Sequence, residues 1–133
     1  MDGGRTRVIV VDDQRAIRAG SQMIVDNEPD MVVVAQAGDG LGAVEEVARH
    51  RPDVVLMDVR MPRLDGIEAA RKILAGGPPP AGQPRTAVLV LTTFDDEECL
   101  LGAVRAGAAG FLLKDAVPGA LVQAVRTCTR GTR

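Results

Sequence analysis

The chain has no tryptophan, no tyrosine and only two phenylalanines. That scarcity argues against an aromatic platform for stacking single-stranded bases, and it leaves no ring of the kind that sandwiches a flavin. Cysteine is nearly as rare. Cys99 and Cys128 lie far apart with no metal-type spacing, so both read as small apolar side chains in a reducing compartment. The formal charge of −2 provides no basic excess for nucleic acid. No apolar run approaches the roughly 18 residues of a membrane span. The opening "MDGGRTRV" has no apolar segment of the secretory kind, so the expected setting is the cytoplasm, with no membrane partner. Lysine is the last scarcity: Lys72 and Lys114 are two of 16 basic residues.

What is present is an alternation. Apolar residues are 46% and charged residues 26% of 133, the balance of one soluble domain with its own core. Short β-branched runs at 6–11, 31–37, 53–57, 86–91 and 110–113 read as strands. Helix-period segments at 14–26, 40–50, 65–75, 96–106 and 118–129 follow them in turn. The expected inward faces are Ile17, Gly20, Ser21 and Ile24; then Leu41, Val44, Val47 and Ala48; then Ile67, Ala70, Ile73 and Leu74; and, in the last helix, Leu121, Ala124, Val125 and Cys128. The strands are near-continuously apolar, as in a parallel sheet covered on both faces. Five such units predict a doubly wound α/β sandwich, flavodoxin-like, with five parallel strands in the order 2-1-3-4-5 and five helices. "GGPPPAGQPR" (76–85) is incompatible with a helix or a central strand and reads as an exposed loop.

In such a sheet, ligands bind outside the carboxyl ends of the strands. The first strand ends in Asp12-Asp13, the third in Asp58, the fourth in Thr92-Thr93 and the fifth in Lys114. Crowded carboxylates repel one another unless neutralised. Oxygen ligands suit a hard divalent cation, Mg²⁺ above all (or Mn²⁺), which keeps positions open for phosphate oxygens. Lysine adds a point charge for a phosphoryl group, threonine a hydroxyl donor, and a carboxylate can itself be the phosphoryl acceptor.

These residues resemble the receiver domain of two-component response regulators. The resemblance covers nearly the whole chain and rests on four segments in order: "VIVVDDQRAIRAG", "DVVLMDVRMPRLDG", "VLVLTTFDD" and "AGAAGFLLKD". The stretch from "LTTFDDEE" to "AVRAGAAGFLLKD" is most similar to the NarL/FixJ (LuxR-type) branch. The resemblance implies a CheY-like fold and a phosphorylation switch rather than an enzyme, one that assists its own phosphotransfer and dephosphorylation.

By position, Asp58 would be the phosphorylated residue. Asp12, Asp13 and Asp58, with the backbone carbonyl of Arg60, would hold Mg²⁺. Thr92 would be the switch hydroxyl, Phe111 the aromatic partner that changes rotamer, and Lys114 the partner of the phosphoryl group. The implied donor is a sensor histidine kinase docking near Gln14, Ile17 and Arg18. The implied output is homodimerisation and transcriptional control. DNA would be reached through a C-terminal helix-turn-helix domain not in this chain, so residues 1–133 are read as one receiver. Asp115 follows Lys114 where many receivers have proline, so no cis peptide is expected there. Arg60 and Phe94, two residues beyond Asp58 and Thr92, are candidates for shielding the acyl phosphate from water.

Other features have plainer readings. His50 fits a helix C-terminus, "GDGLG" (38–42) a strand-to-helix turn, Asp65 a helix cap, and Asp95, Asp96, Glu97 and Glu98 a helix N-terminus. A Mg²⁺-dependent aspartyl phosphatase would carry a second aspartate where Arg60 stands. A receiver-like module that is never phosphorylated would not need the complete acid, threonine and lysine set.

Overall fold

The computed structural model describes residues 4–59, 65–75, 86–92, 97–114 and 118–130. In chain order the elements are β1 (Thr6–Val11), α1 (Arg15–Asp26), β2 (Met31–Ala37), α2 (Gly40–His50), β3 (Val54–Asp58), α3 (Gly66–Leu74), β4 (Ala87–Thr92), α4 (Glu97–Ala106), β5 (Gly110–Leu113) and α5 (Pro118–Arg130). The strands form one parallel sheet in the order β2-β1-β3-β4-β5, the order expected from the alternation. The proline-rich segment 76–85 lies outside the described residues.

The strands alternate between two cores. Val8, Val10, Val54, Leu56, Leu89 and Leu91 face α1 and α5, meeting Val25, Leu121, Val122, Val125 and Cys128. Ile9, Val11, Val55, Met57, Val88 and Val90 face α2, α3 and α4. Covering both faces explains why three strands read as unbroken apolar runs. Each fully buried aliphatic side chain contributes about 1.5–3 kcal/mol relative to exposure.

The helices meet the sheet through narrower stripes than the sequence periods imply. α2 buries Gly40 and Ala43, with Val44 and Val47 packed alongside, whereas Leu41 and Ala48 are exposed. α1 buries Ser21 and Val25, flanked by Ile24, and Ile17 is exposed. α3 similarly buries Gly66, Ala69 and Ala70, with Ile67, Ile73 and Leu74 at the margins. α5 packs through Leu121, Val125 and Cys128 as expected, with Val122 added.

Local signals at the termini agree with the sequence. The Asp65 carboxylate accepts from the Glu68 N–H at 2.9 Å and caps α3. Asp39, in the "GDGLG" turn, accepts from the Gly42 N–H at 2.7 Å and caps α2. His50 stands in the last turn of α2, 3.1 Å from Glu46. At the amino ends of the strands, Arg126 of α5 donates through its guanidinium to both carboxylate oxygens of Asp30, each at 3.0 Å, and to Glu28 at 2.7 Å. That fork ties α5 to the turn between α1 and β2. No described helix is long and apolar enough to cross a membrane.

Candidate functional site

The carboxyl ends of β1, β3, β4 and β5 are neighbours in the sheet, and the residues there converge. β3 and β4 each run one residue further than expected, so Asp58 and Thr92 are ladder residues. Asp58 is paired with Leu91, and Thr92 with Leu113. Both are fully buried, and Asp12 is nearly so at 1% exposure. Asp13 is exposed.

Asp12 is fixed on several sides. Its amide donates to the Ala37 carbonyl of β2 at 3.1 Å. Its Oδ1 accepts from the Gln14 N–H at 2.9 Å, and its carbonyl accepts from the Arg18 guanidinium at 2.6 Å. The other carboxylate oxygen, Oδ2, is buried and accepts no hydrogen bond. Lys114 crosses from the end of β5, its Nζ 2.9 Å from Asp58 Oδ1 and 3.8 Å from Asp12 Oδ2. The Lys114 amide donates to the Thr92 carbonyl at 2.9 Å, which anchors the lysine to the end of β4.

The charges do not balance. Burial pushes the Asp12 carboxyl above its ordinary range, and the Asp58 and Asp13 charges push the same way. The Gln14 N–H and Lys114 offset only part of this. Burial pulls Lys114 down, but its hydrogen bond to Asp58 and the charges of Asp58, Asp12 and Asp13 outweigh that, so its pKa is raised. The lysine is therefore held as an ammonium among three acids.

One oxygen from each of Asp12, Asp13 and Asp58 lies within 4.8 Å of the others. Hard oxygen donors, excess negative charge and an orphaned buried Asp12 oxygen fit a small divalent cation such as Mg²⁺.

The structure brings together Asp12, Asp13, Asp58, Thr92 and Lys114. Phe111 stands apart: it lies on edge strand β5, opposite Val90, and is 53% exposed. The ladder register puts Phe111 on the same face of the sheet as Thr92, two pairs away. Arg60, Thr93, Phe94, Asp95, Asp96 and the Asp115 peptide lie outside the described residues, as does the side chain of Cys99. Cys128 is free and buried. On α1, Gln14 and Ile17 are exposed, whereas Arg18 is half-buried and its guanidinium reaches back to Asp12.

One contact at the site went unread in the sequence. The N-terminus of α3 packs directly on the end of β3, and the Gly66 N–H donates to the Val59 carbonyl at 2.9 Å. A Cβ at Gly66 would lie 2.1 Å from the Asp58 carbonyl oxygen. Only glycine lets the backbones approach so closely. The "DG" pair was a signal for a helix start but not for this approach.

Comparison with known proteins agrees with this fold. Residues 8–126 match the model of the response regulator receiver domain family. The chain is 42% identical over 98% of its length to the transcriptional regulatory protein YxjL of Bacillus subtilis, covering 57% of that protein. It is 40% identical over 94% of its length to the oxygen regulatory protein NreC of Staphylococcus carnosus, covering 55%. The chain thus spans about half the length of these relatives. Among solved structures, the receiver domain of NarL from Mycobacterium tuberculosis superposes with a TM-score of 0.85 at 35% identity, covering 96% of this chain and 98% of that one.

Proposed function

This chain belongs to the response regulator receiver domain family, in its LuxR-type branch, and we propose that it works as a phosphorylation switch with Asp58 as the acceptor. The observation that carries this reading is the buried Asp58 carboxylate, 2.9 Å from Lys114 and beside two further acids.

In the proposed reaction an Asp58 oxygen forms a new P–O bond while the P–N bond of a phosphohistidine breaks. The electron pair stays on the imidazole nitrogen, which then takes a proton from solvent. The donor would be a sensor histidine kinase meeting the exposed Gln14 and Ile17 of α1. Asp12, Asp13 and Asp58, with the Arg60 carbonyl, would hold Mg²⁺ (or Mn²⁺), which neutralises phosphoryl oxygens when bound. Lys114, already an ammonium at the acceptor oxygen, would follow the transferred group as a point charge.

The product carries about −1.5 to −2 charges and three acceptor oxygens. The Thr92 hydroxyl would turn to one of those oxygens. Phe111, on the same face two pairs away, would turn inward from its exposed position. The surface formed by α4, β5 and α5 would then change shape and favour a second copy of the chain, an event of local charge biasing a two-state element. A helix-turn-helix domain joined to this receiver would carry the change to DNA. Hydrolysis of the acyl phosphate, assisted by the same residues, would reset the switch.

Intact-mass measurement after incubation with Mg²⁺ and a small phosphodonor tests the reading. Wild type should gain about 80 Da, one phosphoryl group, and Asp58→Asn should not. Equal labelling of both would move the acceptor elsewhere.

A further inference from the structure

β1 stops at Val11, so the Asp12 carbonyl lies beyond its last ladder residue. It is met instead by a side chain from α1: Arg18 Nη1 donates to it at 2.6 Å. Two more bonds knit the same segment. The Gln14 N–H donates to Asp12 Oδ1 at 2.9 Å, and the Arg18 N–H donates to the Gln14 carbonyl at 3.1 Å. Asp13 sits inside this closed turn, so the direction of its exposed carboxylate is set by the turn's shape.

The guanidinium occupies the space beside Gly38 that a side chain there would enter. A Cβ on Gly38, just after β2, would lie 3.3 Å from Arg18 Nη1. The side chain therefore runs between the Asp12 carbonyl and the backbone that leads into α2.

We propose that Arg18 is a positioning residue for the cation site, holding the Asp12–Asp13 turn so that both carboxylates face the pocket shared with Asp58. This rests on the reading of that pocket as a Mg²⁺ site. Residues that orient metal ligands through hydrogen bonds typically alter affinity by about 10–100-fold when lost.

The sign of the effect separates positioning from charge. Arg18 is a cation near a cation site, so removing it should tighten Mg²⁺ binding if only long-range electrostatics mattered. If Arg18 orients the ligands, removing it should weaken binding. Arg15, an exposed cation in the first turn of the same helix, supplies the control for charge.

The test is a Mg²⁺ titration of the unphosphorylated protein, followed by ¹H–¹⁵N NMR, together with thermal midpoints measured without metal. Arg18→Gln should weaken binding on the order of tenfold. Arg18→Lys, which can still reach the carbonyl but lacks the planar fork, should fall between Arg18→Gln and wild type. Arg15→Gln should bind as wild type or slightly tighter. Metal-free midpoints should stay near wild type.

Unchanged or tighter binding in Arg18→Gln overturns the proposal. So does a lowered metal-free midpoint with Mg²⁺ affinity intact, the signature of a merely structural contact. Should Arg18→Gln fail to fold, Arg18→Lys decides: weaker binding supports the role, and equal binding overturns it. A wild-type protein that binds no Mg²⁺ overturns the cation site itself, an outcome distinct from failure of Arg18's role.

Discussion

Lys114 Nζ lies 2.9 Å from Asp58 Oδ1 and 3.8 Å from Asp12 Oδ2. One ammonium thus faces two buried carboxylates, with a third acid at the rim. In Lys114→Gln the buried Asp58 charge loses its cationic partner. The metal-free protein should lose about 1.5–3 kcal/mol, the usual worth of a hydrogen bond to a charged group. Mg²⁺ affinity should rise, because a competing cation has gone. Urea denaturation and Mg²⁺ titration check both; weaker Mg²⁺ binding would mean that the lysine shapes the site instead of competing for it.

Asp12→Asn should stabilise the metal-free protein at neutral pH. Folding raises the Asp12 pKa above the ordinary carboxylate range, mainly through burial. The folded state therefore binds the Asp12 proton more tightly than the unfolded state does. Stability attributable to this group is highest below the unfolded pKa, falls as pH rises through the folded pKa, and stays low above it. Asparagine keeps an oxygen for the Gln14 N–H and removes the charge. The variant's advantage over wild type should grow as pH rises across that window, read as a widening gap in thermal midpoint. Mg²⁺ should stabilise wild type but not the variant. A gap that shrinks with rising pH would contradict the account.

Gly66→Ala should be costly despite its small size. The new methyl would overlap the Asp58 carbonyl and the Val59 Cα, both backbone atoms that cannot swing aside. A loss of about 1–3 kcal/mol is expected from overpacking of this kind, together with weaker Mg²⁺ binding as the end of β3 shifts. A thermal midpoint equal to wild type would show that α3 can move off the strand freely.

Arg60 and Phe94 lie two residues past Asp58 and Thr92 in the chain. A long and a bulky side chain there would shield the acyl phosphate from attacking water. The double variant Arg60→Asn, Phe94→Glu should shorten the half-life of the phosphorylated protein, followed by loss of the mass adduct over time. An unchanged half-life sinks the idea.

Much of this site was legible because strand ends in a parallel sheet are predictable points of convergence. Asp12, Asp58, Thr92 and Lys114 each follow an apolar run, so placing the strands placed the residues. Helix faces were less legible. Leu41 and Ile17 satisfy a helical period yet are exposed, because the stripes turned to the sheet run through Gly40 and Ala43 in α2 and through Ser21 and Val25 in α1. Two contacts had no sequence signal at all. The approach of Gly66 to the Asp58 carbonyl depends on backbone atoms alone, and the turn of Arg18 toward Asp12 depends on a carbonyl left beyond the end of its strand.

The central claim is that Asp58 accepts the phosphoryl group as an acyl phosphate. Borohydride reduction of the phosphorylated protein, followed by peptide mapping, reads this directly, because an acyl phosphate is reduced to an alcohol and a phosphate ester is not. The account predicts homoserine at position 58 in protein treated with Mg²⁺ and phosphodonor, and aspartate there when either is omitted. Homoserine at position 12 or 13, or a phosphate that survives reduction on a hydroxyl side chain, would contradict it.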